Sequence, residues 1–250
     1  VIRLFISSYV PSSKSRDEEL TSCLQKNIAN IGIDEIYIVQ ENRSELPVNH
    51  HSVSVHHQSE RPRFEDFLQW IGSFTFENDD VSIIANSDIY LDSNIAVLAS
   101  AMSSGQCAAL SRWDVRSDGS AVLFDRNDSQ DAWVFKGPLR NVEADFPVGV
   151  PRCDNRFLYE LKRAGYEVIN PAFSIRAFHQ HAGQRTEYRT ENLEHFVDPP
   201  YAYLWPHNLW SLPRTVFHNL RNAGARVSWR MDRRKLISSL PVRAVRKGLR

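Results

Sequence analysis

The spacing of apolar residues divides the first 92 positions into two alternating kinds of segment. Short, mainly apolar runs occupy 1–6, 36–39 and 81–85, as expected for strands that are buried on both faces of a sheet. Over 16–30 and 62–74, apolar residues recur at every third or fourth position, which predicts amphipathic helices. Strands that alternate with helices predict a parallel sheet with helices on its faces.

The pattern becomes less regular after residue 92. Two further helices are predicted at 94–103 and 153–164, and the polar stretch 114–128 is expected to form a hairpin or loop. Short apolar runs predict four more strands, at 108–112, 132–135, 166–169 and 173–178. We therefore expect an α/β fold with a Rossmann-like, mixed but mostly parallel sheet, helices on both faces and a C-terminal helical extension.

Composition narrows the classes of protein. With 250 residues and 42% apolar content, the chain can bury a core without disulfides. Its three cysteines are scattered and include no Cys-x-x-Cys pair, which argues against a disulfide framework or a structural zinc site. No apolar stretch approaches the roughly 20 residues that cross a bilayer, and the first residues lack the flanks of a signal peptide. These features predict a cytoplasmic location.

The formal net charge of zero hides an uneven distribution. The segment 226–250 contains nine Lys or Arg residues and one acid, Asp232, so the rest of the chain is net acidic. Apolar residues are interspersed among these basic ones, which suits an amphipathic tail lying on an anionic membrane surface, such as the inner face of a membrane. The alternative is a helix that is simply solvated. No nucleic-acid partner is expected.

An acidic loop directly follows the predicted strand 81–85 and contains Asn86, Ser87 and Asp88. Ligands of open α/β sheets bind at the carboxyl ends of strands, so these side chains are candidates for a ligand site. The carboxylate of Asp88 can hold Mg²⁺ or Mn²⁺, which in turn can hold a diphosphate. Asp92 is better explained as a cap or support for the helix that follows.

Two histidines, His179 and His181, follow the predicted strand 173–178, and alternation places them on the same side. Their imidazole nitrogens could complete a metal shell begun by Asp88, and the spacing does not decide between the two. The alternative is a structural role for both. Four more histidines, in a polar region predicted to be a loop and short strand, are not expected to bind metal: His50, His51, His56 and His57.

Asp154 lies at the start of the predicted helix 153–164. One interpretation is a helix cap, because the helix dipole stabilises a carboxylate there. The other is a general base that activates an acceptor hydroxyl at the rim of a cleft.

A second polar group, Gln130 and Asp131, comes just before the short aromatic strand that contains Trp133. These polar side chains would suit sugar hydroxyls, with Trp133 as a stacking face, and Arg112 is expected to join them in binding substrate. The alternative is an ordinary start of a strand.

The order of these parts resembles that of the GT-A glycosyltransferases, in particular the glycosyltransferase family 2-like group. The residues that carry the resemblance are Asn86-Ser87-Asp88, Cys153-Asp154, the run Leu-Lys-Arg-Ala-Gly-Tyr at 161–166, Asn170-Pro171, and His179 or His181. The match covers roughly residues 1–185, the expected catalytic domain, with a nucleotide-binding half (1–92) and an acceptor half (93–185). Residues 186–250 would form an extension.

The resemblance implies transfer of a hexosyl or related sugar from a nucleotide-sugar to a hydroxyl of a glycan or glycolipid, in glycan or polysaccharide biosynthesis. It implies that Asp154 is the base, that Asp88 binds the metal, and that the anomeric configuration is inverted. Ser7, Ser8 and Glu41 lie at strand ends, where the nucleotide would bind.

Two positions depart from the family pattern, since Asn86 and Cys153 stand where acids are usual. Both departures weaken the expected metal site and leave metal-independent transfer open. Two other functions also remain open. A nucleotidyltransferase would usually carry a glycine-rich phosphate loop, whereas 8–15 contains no glycine. A non-catalytic carbohydrate-binding or scaffold protein could use the same fold.

Overall fold

The computed structural model describes residues 1–11, 13–42, 46, 48–180 and 196–216. Within them the chain forms the helices α1 (Lys14–Ile28), α2 (Phe64–Gly72), α3 (Ile95–Ala101) and α4 (Cys153–Arg163), and residues 212–216 are also helical. The strands are β1 (Ile2–Ser8), β2 (Glu35–Glu41), β3 (Val53–Gln58), β4 (Val81–Ala85), β5 (Ile89–Leu91), β6 (Gln106–Leu110), β7 (Arg112–Val115), β8 (Ala121–Leu123), β9 (Ala132–Lys136), β10 (Glu167–Ile169) and β11 (Ala177–His179).

The larger sheet has seven strands in the spatial order β10-β6-β9-β4-β1-β2-β3. Strand β10 is parallel to β6, and the run from β4 through β1 and β2 to β3 is also parallel. Strand β9 lies between β6 and β4 and is antiparallel to both. The predicted α/β class, with a mixed but mostly parallel sheet, is confirmed.

Helices cover both faces of this sheet, and β4 shows the result most clearly. All five of its residues are buried. Because side chains alternate along a strand, Ile83 joins one apolar core while Ile84 joins the other. The first core includes Leu98 of α3, and the second includes Phe157 of α4. The buried strand predicted at 81–85 and the helices on both faces are confirmed.

A smaller sheet, in the order β5-β11-β7-β8, begins where β4 and β6 end. Strand β11 is antiparallel to β5 and parallel to β7. Strands β7 and β8 form the hairpin that was one alternative for the polar stretch 114–128. This sheet brings the carboxyl ends of the central strands close to residues from the second half of the chain.

Two details differ from the predictions. The strand predicted at 173–178 is limited to β11, because the amides of Ser174 and Ile175 donate to the carbonyl of Pro171 and close a turn. The apolar run at 108–112 is divided between β6 and β7.

The stretch 196–216, predicted to belong to an extension, packs against the preceding residues. Leu204 and Trp205 are buried, and Leu204 belongs to the same core as α2 and α4. The basic tail 226–250, and with it the predicted C-terminal helix, lies outside the described residues. Among those described, no helix combines the length and the apolar character needed to cross a membrane.

Candidate active site

The carboxyl ends of β1 and β4 are joined by two serines. The Ser87 hydroxyl donates to the main-chain oxygen of Ser7 at 2.7 Å, and the two hydroxyl oxygens are 2.9 Å apart. Ser8 ends β1 and Glu41 ends the neighbouring parallel strand β2. The residues predicted to line a nucleotide therefore lie at one edge of the sheet, where ligands of α/β sheets bind.

Asp88 lies beside two cationic partners. The Arg16 guanidinium Nη2 donates to Asp88 Oδ2 at 2.7 Å, and His179 Nε2 is 3.2 Å from the same oxygen. Burial alone would raise the pKa of Asp88, but His179 and Arg16 lower it far below its ordinary range. Asp88 is therefore a buried carboxylate, and it joins α1 to β11.

His179 also contacts a second carboxylate. Its Nδ1 atom lies 2.8 Å from Asp114 Oδ1, so both ring nitrogens face acids. Burial lowers the pKa of His179, but the hydrogen bonds to Asp114 and Asp88 outweigh it and raise the pKa above its ordinary value. With a proton on each nitrogen, the ring can donate to both carboxylates.

Arg112 continues these contacts toward the second half of the site. Its Nε donates to Asp114 at 2.8 Å, and its Nη1 lies 3.4 Å from Asp131 Oδ2. Opposite charges thus alternate without a break through the partly buried group that we name the ionic network: Arg16, Asp88, His179, Asp114, Arg112 and Asp131.

Asn86 ends this series with a neutral hydrogen bond. Its side-chain amide donates to Asp131 Oδ1 at 2.9 Å, and its main-chain amide donates to the Asp131 carbonyl at 3.0 Å. A carboxylate at position 86 would instead place a second acid against Asp131. The nearby Asp131 therefore gives a physical reason for an amide at position 86, where the family pattern has an acid.

The described residues do not fit a divalent cation. Asp88 Oδ2 lies against two cationic groups, Arg16 and His179, and both ring nitrogens of His179 face carboxylates and not an open site. No cluster of three or more His, Cys, Asp or Glu residues suited to a metal occurs in the described part of the chain. The predicted Mn²⁺ or Mg²⁺ role of Asp88 and His179 does not match this arrangement, and His181 lies outside the described residues.

Asp154 occupies the first turn of α4, as predicted. Its Oδ2 accepts from the main-chain amide of Gln130 at 3.3 Å. Loss of surrounding water, followed by the negative charge of Asp131, raises the pKa of Asp154 to about 7. The group can therefore take up or release a proton close to neutral pH, as a general base must.

A pocket of about 240 Å³ opens beside Asp154. Its walls combine charged, polar and aromatic side chains: Arg112, Phe124, Arg126, Asp128, Ser129, Arg152, Asp154, Asn155 and Phe196. Asp154 keeps part of its surface exposed, which gives a bound molecule access to the carboxylate. Two of the predicted site residues, Arg112 and Asp154, therefore line the same cavity.

Two predictions about sugar binding are wrong. Trp133 has no exposed surface and packs edge-on against Phe64 and Phe157 in the core, so it offers no stacking face. The Gln130 side chain is also buried, and its amide donates to the carbonyl of Leu204. Only the main-chain amide of Gln130 reaches the site.

Asp92 has the supporting role expected of it. Its Oδ1 accepts from the amide of Asn94, just before α3, and its Oδ2 accepts from the amide of Arg176. It thereby holds the start of α3 against the chain that leads into β11.

The sequence patterns did not indicate four residues of this candidate site, namely Arg16, Asp114, Arg126 and Arg152. Arg16 lies in the first turn of α1, the helix after the first strand, where the topology could have drawn attention to it. The others lie in polar or loop stretches that have no periodic pattern.

Comparisons with known proteins give structural likeness only. No protein-family model matches the chain, and no curated protein matches its sequence. A mannosyltransferase from Pyrobaculum calidifontis, in complex with GDP-Man and Mn²⁺, is 12% identical with a TM-score of 0.43, covering 75% of this chain and 58% of its own. TarS of S. aureus is 9% identical with a TM-score of 0.41, covering 94% of this chain and 68% of its own.

A cytidylyltransferase, IspD of Francisella tularensis, is 18% identical with a TM-score of 0.37, covering 54% of this chain and 73% of its own. The similar solved structures thus include both glycosyltransferases and a nucleotidyltransferase. At these identities and TM-scores the likeness carries no argument about substrate or reaction, and the α/β fold rests on the observed strand order.

Proposed function

We propose that the chain is a glycosyltransferase that moves a sugar from a nucleotide-sugar to an acceptor hydroxyl. One observation carries the proposal: Asp154, with a pKa of about 7, opens onto a pocket at the end of the sheet where ligands bind. A base of this kind at such a pocket suits the removal of a hydroxyl proton. The same residue carries the sequence resemblance to GT-A enzymes.

In the proposed step, Asp154 accepts the proton of the acceptor hydroxyl. The acceptor oxygen forms a bond to the anomeric carbon while the bond from that carbon to the diphosphate oxygen breaks, and the electron pair leaves with the nucleoside diphosphate. A single displacement of this kind inverts the anomeric configuration.

The nucleotide is assigned to the carboxyl ends of β1, β2 and β4, where Ser7, Ser8, Glu41 and Ser87 lie. The ionic network acts as a support, because it fixes α1, β7 and β11 around this edge. The proposed step uses no Mn²⁺ or Mg²⁺, since the observed contacts of Asp88 and His179 do not fit a metal.

The acceptor is a glycan or glycolipid hydroxyl that enters the pocket beside Asp154. We place the enzyme in the cytoplasm, in glycan or polysaccharide synthesis, with the basic segment 226–250 as its contact to an anionic membrane. Flotation with anionic liposomes, with and without that segment, tests the membrane contact. Equal binding of the two forms would show that this segment is not the contact to the membrane.

The substitution Asp154→Asn tests the proposed base. It should abolish sugar transfer and leave nucleoside diphosphate binding unchanged, because Asn cannot accept the proton. Asp118→Asn, in an exposed turn, is the matched control and should leave transfer at the wild-type rate. Full activity of Asp154→Asn, or a product with retained configuration by NMR, would contradict the mechanism.

A thermal-shift screen separates the remaining classes of function. Stabilisation by nucleoside diphosphates agrees with sugar transfer. Stabilisation by nucleoside triphosphates alone would favour a nucleotidyltransferase, and no shift with any nucleotide would favour a carbohydrate-binding or scaffold protein. Repeating the screen with Mn²⁺ shows whether a cation adds to nucleotide binding.

A further inference from the structure

Three arginines line the pocket, and two of them are neutralised by acids. Arg112 contacts Asp114 and Asp131. Arg126 makes a bidentate pair with Asp128, with its Nε and Nη2 atoms 2.7 and 2.6 Å from the two carboxylate oxygens. Because acids within the protein balance these guanidinium charges, the two arginines attract an anionic ligand only weakly.

The third arginine, Arg152, has a different environment. Its guanidinium contacts Asn155 Oδ1 at 3.4 Å and lies 5.8 Å from the ring centre of Tyr201. Among the described residues, no carboxylate lies within ion-pair distance of it. Its charge acts at longer range on Asp128 and helps to lower the pKa of that carboxyl, but the guanidinium makes no direct ion pair with a described residue at the wall of the pocket.

The backbone at Arg152 is also unusual. Its φ of 72° places a non-glycine residue in the left-handed region, immediately before α4. Such conformations persist where the surrounding structure holds them, and they cluster at functional sites. Here the conformation belongs to the residue two positions before Asp154, so the guanidinium and the proposed base are presented by one short turn.

We infer that the acceptor is anionic, and that its carboxylate or phosphate group pairs with Arg152 while its hydroxyl faces Asp154. This inference rests on the proposed function, because it assigns the pocket to the acceptor. A guanidinium fork matches either anion with two parallel hydrogen bonds. Uronic acids and sugar or lipid phosphates supply these groups, and the wall residue Ser129 adds a polar contact for hydroxyls.

The test measures binding of bare anions to the full chain by calorimetry, using inorganic phosphate and acetate, with a neutral methyl hexoside as comparison. The wild type should bind at least one anion, and Arg152→Gln should weaken that binding about tenfold or more, the loss of a charge-assisted hydrogen bond. The better-bound anion identifies the source as a phosphate or a carboxylate. Arg116→Gln, in the exposed β7–β8 turn, should bind as the wild type does.

A second variant, Arg152→Gly, removes the charge and suits the positive φ, so it guards against a folding defect in Arg152→Gln. Both variants should lose anion binding. Unchanged anion binding in either folded variant, or no anion binding by the wild type, would overturn the inference.

Nucleoside diphosphate binding is measured on the same proteins. If it occurs while anion binding does not depend on Arg152, only the anionic acceptor is refuted. If no nucleoside diphosphate binds, the proposed transferase function is refuted, and with it this inference.

Discussion

The side-chain amide of Asn86 donates to Asp131 Oδ1 at 2.9 Å, and so joins the loop after β4 to the residue before β9. This contact connects the proposed donor edge with the proposed acceptor pocket, because Asp131 also contacts Arg112 and raises the pKa of Asp154. Asn86, which stands where the family pattern has an acid, is thereby held in place within the site.

Restoring an acid at this position should weaken the fold. Asn86→Asp removes the donor and sets two carboxylates against each other, so we expect the free energy of unfolding to fall by about 1–3 kcal/mol in urea titrations. The double variant Asn86→Asp/Asp131→Asn restores one donor and one acceptor and should recover part of the loss. A single variant as stable as the wild type would show that this hydrogen bond contributes nothing.

The rate of transfer should depend on the ionisation of Asp154. Because the carboxylate form is the base, kcat/KM should rise with pH through a midpoint at about 7. Asp131→Asn removes a repulsive charge, so its midpoint should move to lower pH, whereas Asp118→Asn should leave it in place. If Asp131→Asn left the midpoint unchanged, Asp131 would not be a cause of the raised pKa of Asp154.

The same group should give a stability signature. The pKa of Asp154 is raised in the folded state, to about 7, compared with about 3.9 for an unfolded chain. Its stabilising contribution is therefore full below about pH 4 and is lost as pH rises to about 7. Asp154→Asn should flatten this part of the curve of unfolding free energy against pH, and an unchanged slope would contradict the raised pKa.

Divalent cations should not bind at Asp88 in the free protein. Arg16 and His179 already contact its carboxylate, so we expect calorimetric titration with Mn²⁺ to give the same result for the wild type and for Asp88→Asn. Chelator treatment should leave the melting temperature unchanged. Mn²⁺ binding that Asp88→Asn abolishes would show that the cation displaces Arg16.

Trp133 should matter for folding and not for sugar contact. Trp133→Ala should destabilise the protein by about 3–5 kcal/mol, the cost of a large cavity in a core. Trp133→Phe keeps an aromatic ring there, and the folded variant should bind donor and acceptor as the wild type does. Weaker ligand binding by folded Trp133→Phe would show that the indole contributes to ligand binding.

Periodicity predicted what depends on neighbours along the chain. β4 was recognisable because every residue of 81–85 is apolar or small, and α4 because its apolar stripe is regular. Trp133 was misjudged because a short aromatic strand looks the same at an edge as in the centre. That position is fully buried because β9 lies between β4 and β6 and because Phe64 of α2 and Phe157 of α4 pack against the indole.

The site was harder to predict because its contacts span long separations. Arg16 and Asp88 are 72 positions apart, and His179 and Asp114 are 65 apart. A resemblance can mark an acid such as Asp88 as important, but it does not show which cation lies against it. That information comes only from the way the fold places α1 beside β11.

The central position of β9 also constrains how the protein can fold. Strands β4 and β6 are never neighbours, and each pairs on one side with β9, which follows both of them in the sequence. A nascent chain that ends before Ala132 therefore leaves two strand edges open, and open edges are prone to pair with other chains. The pairing that fills this gap also brings Asp131 to Asn86, so the contact between the two halves of the site forms together with the part of the sheet between β4 and β6.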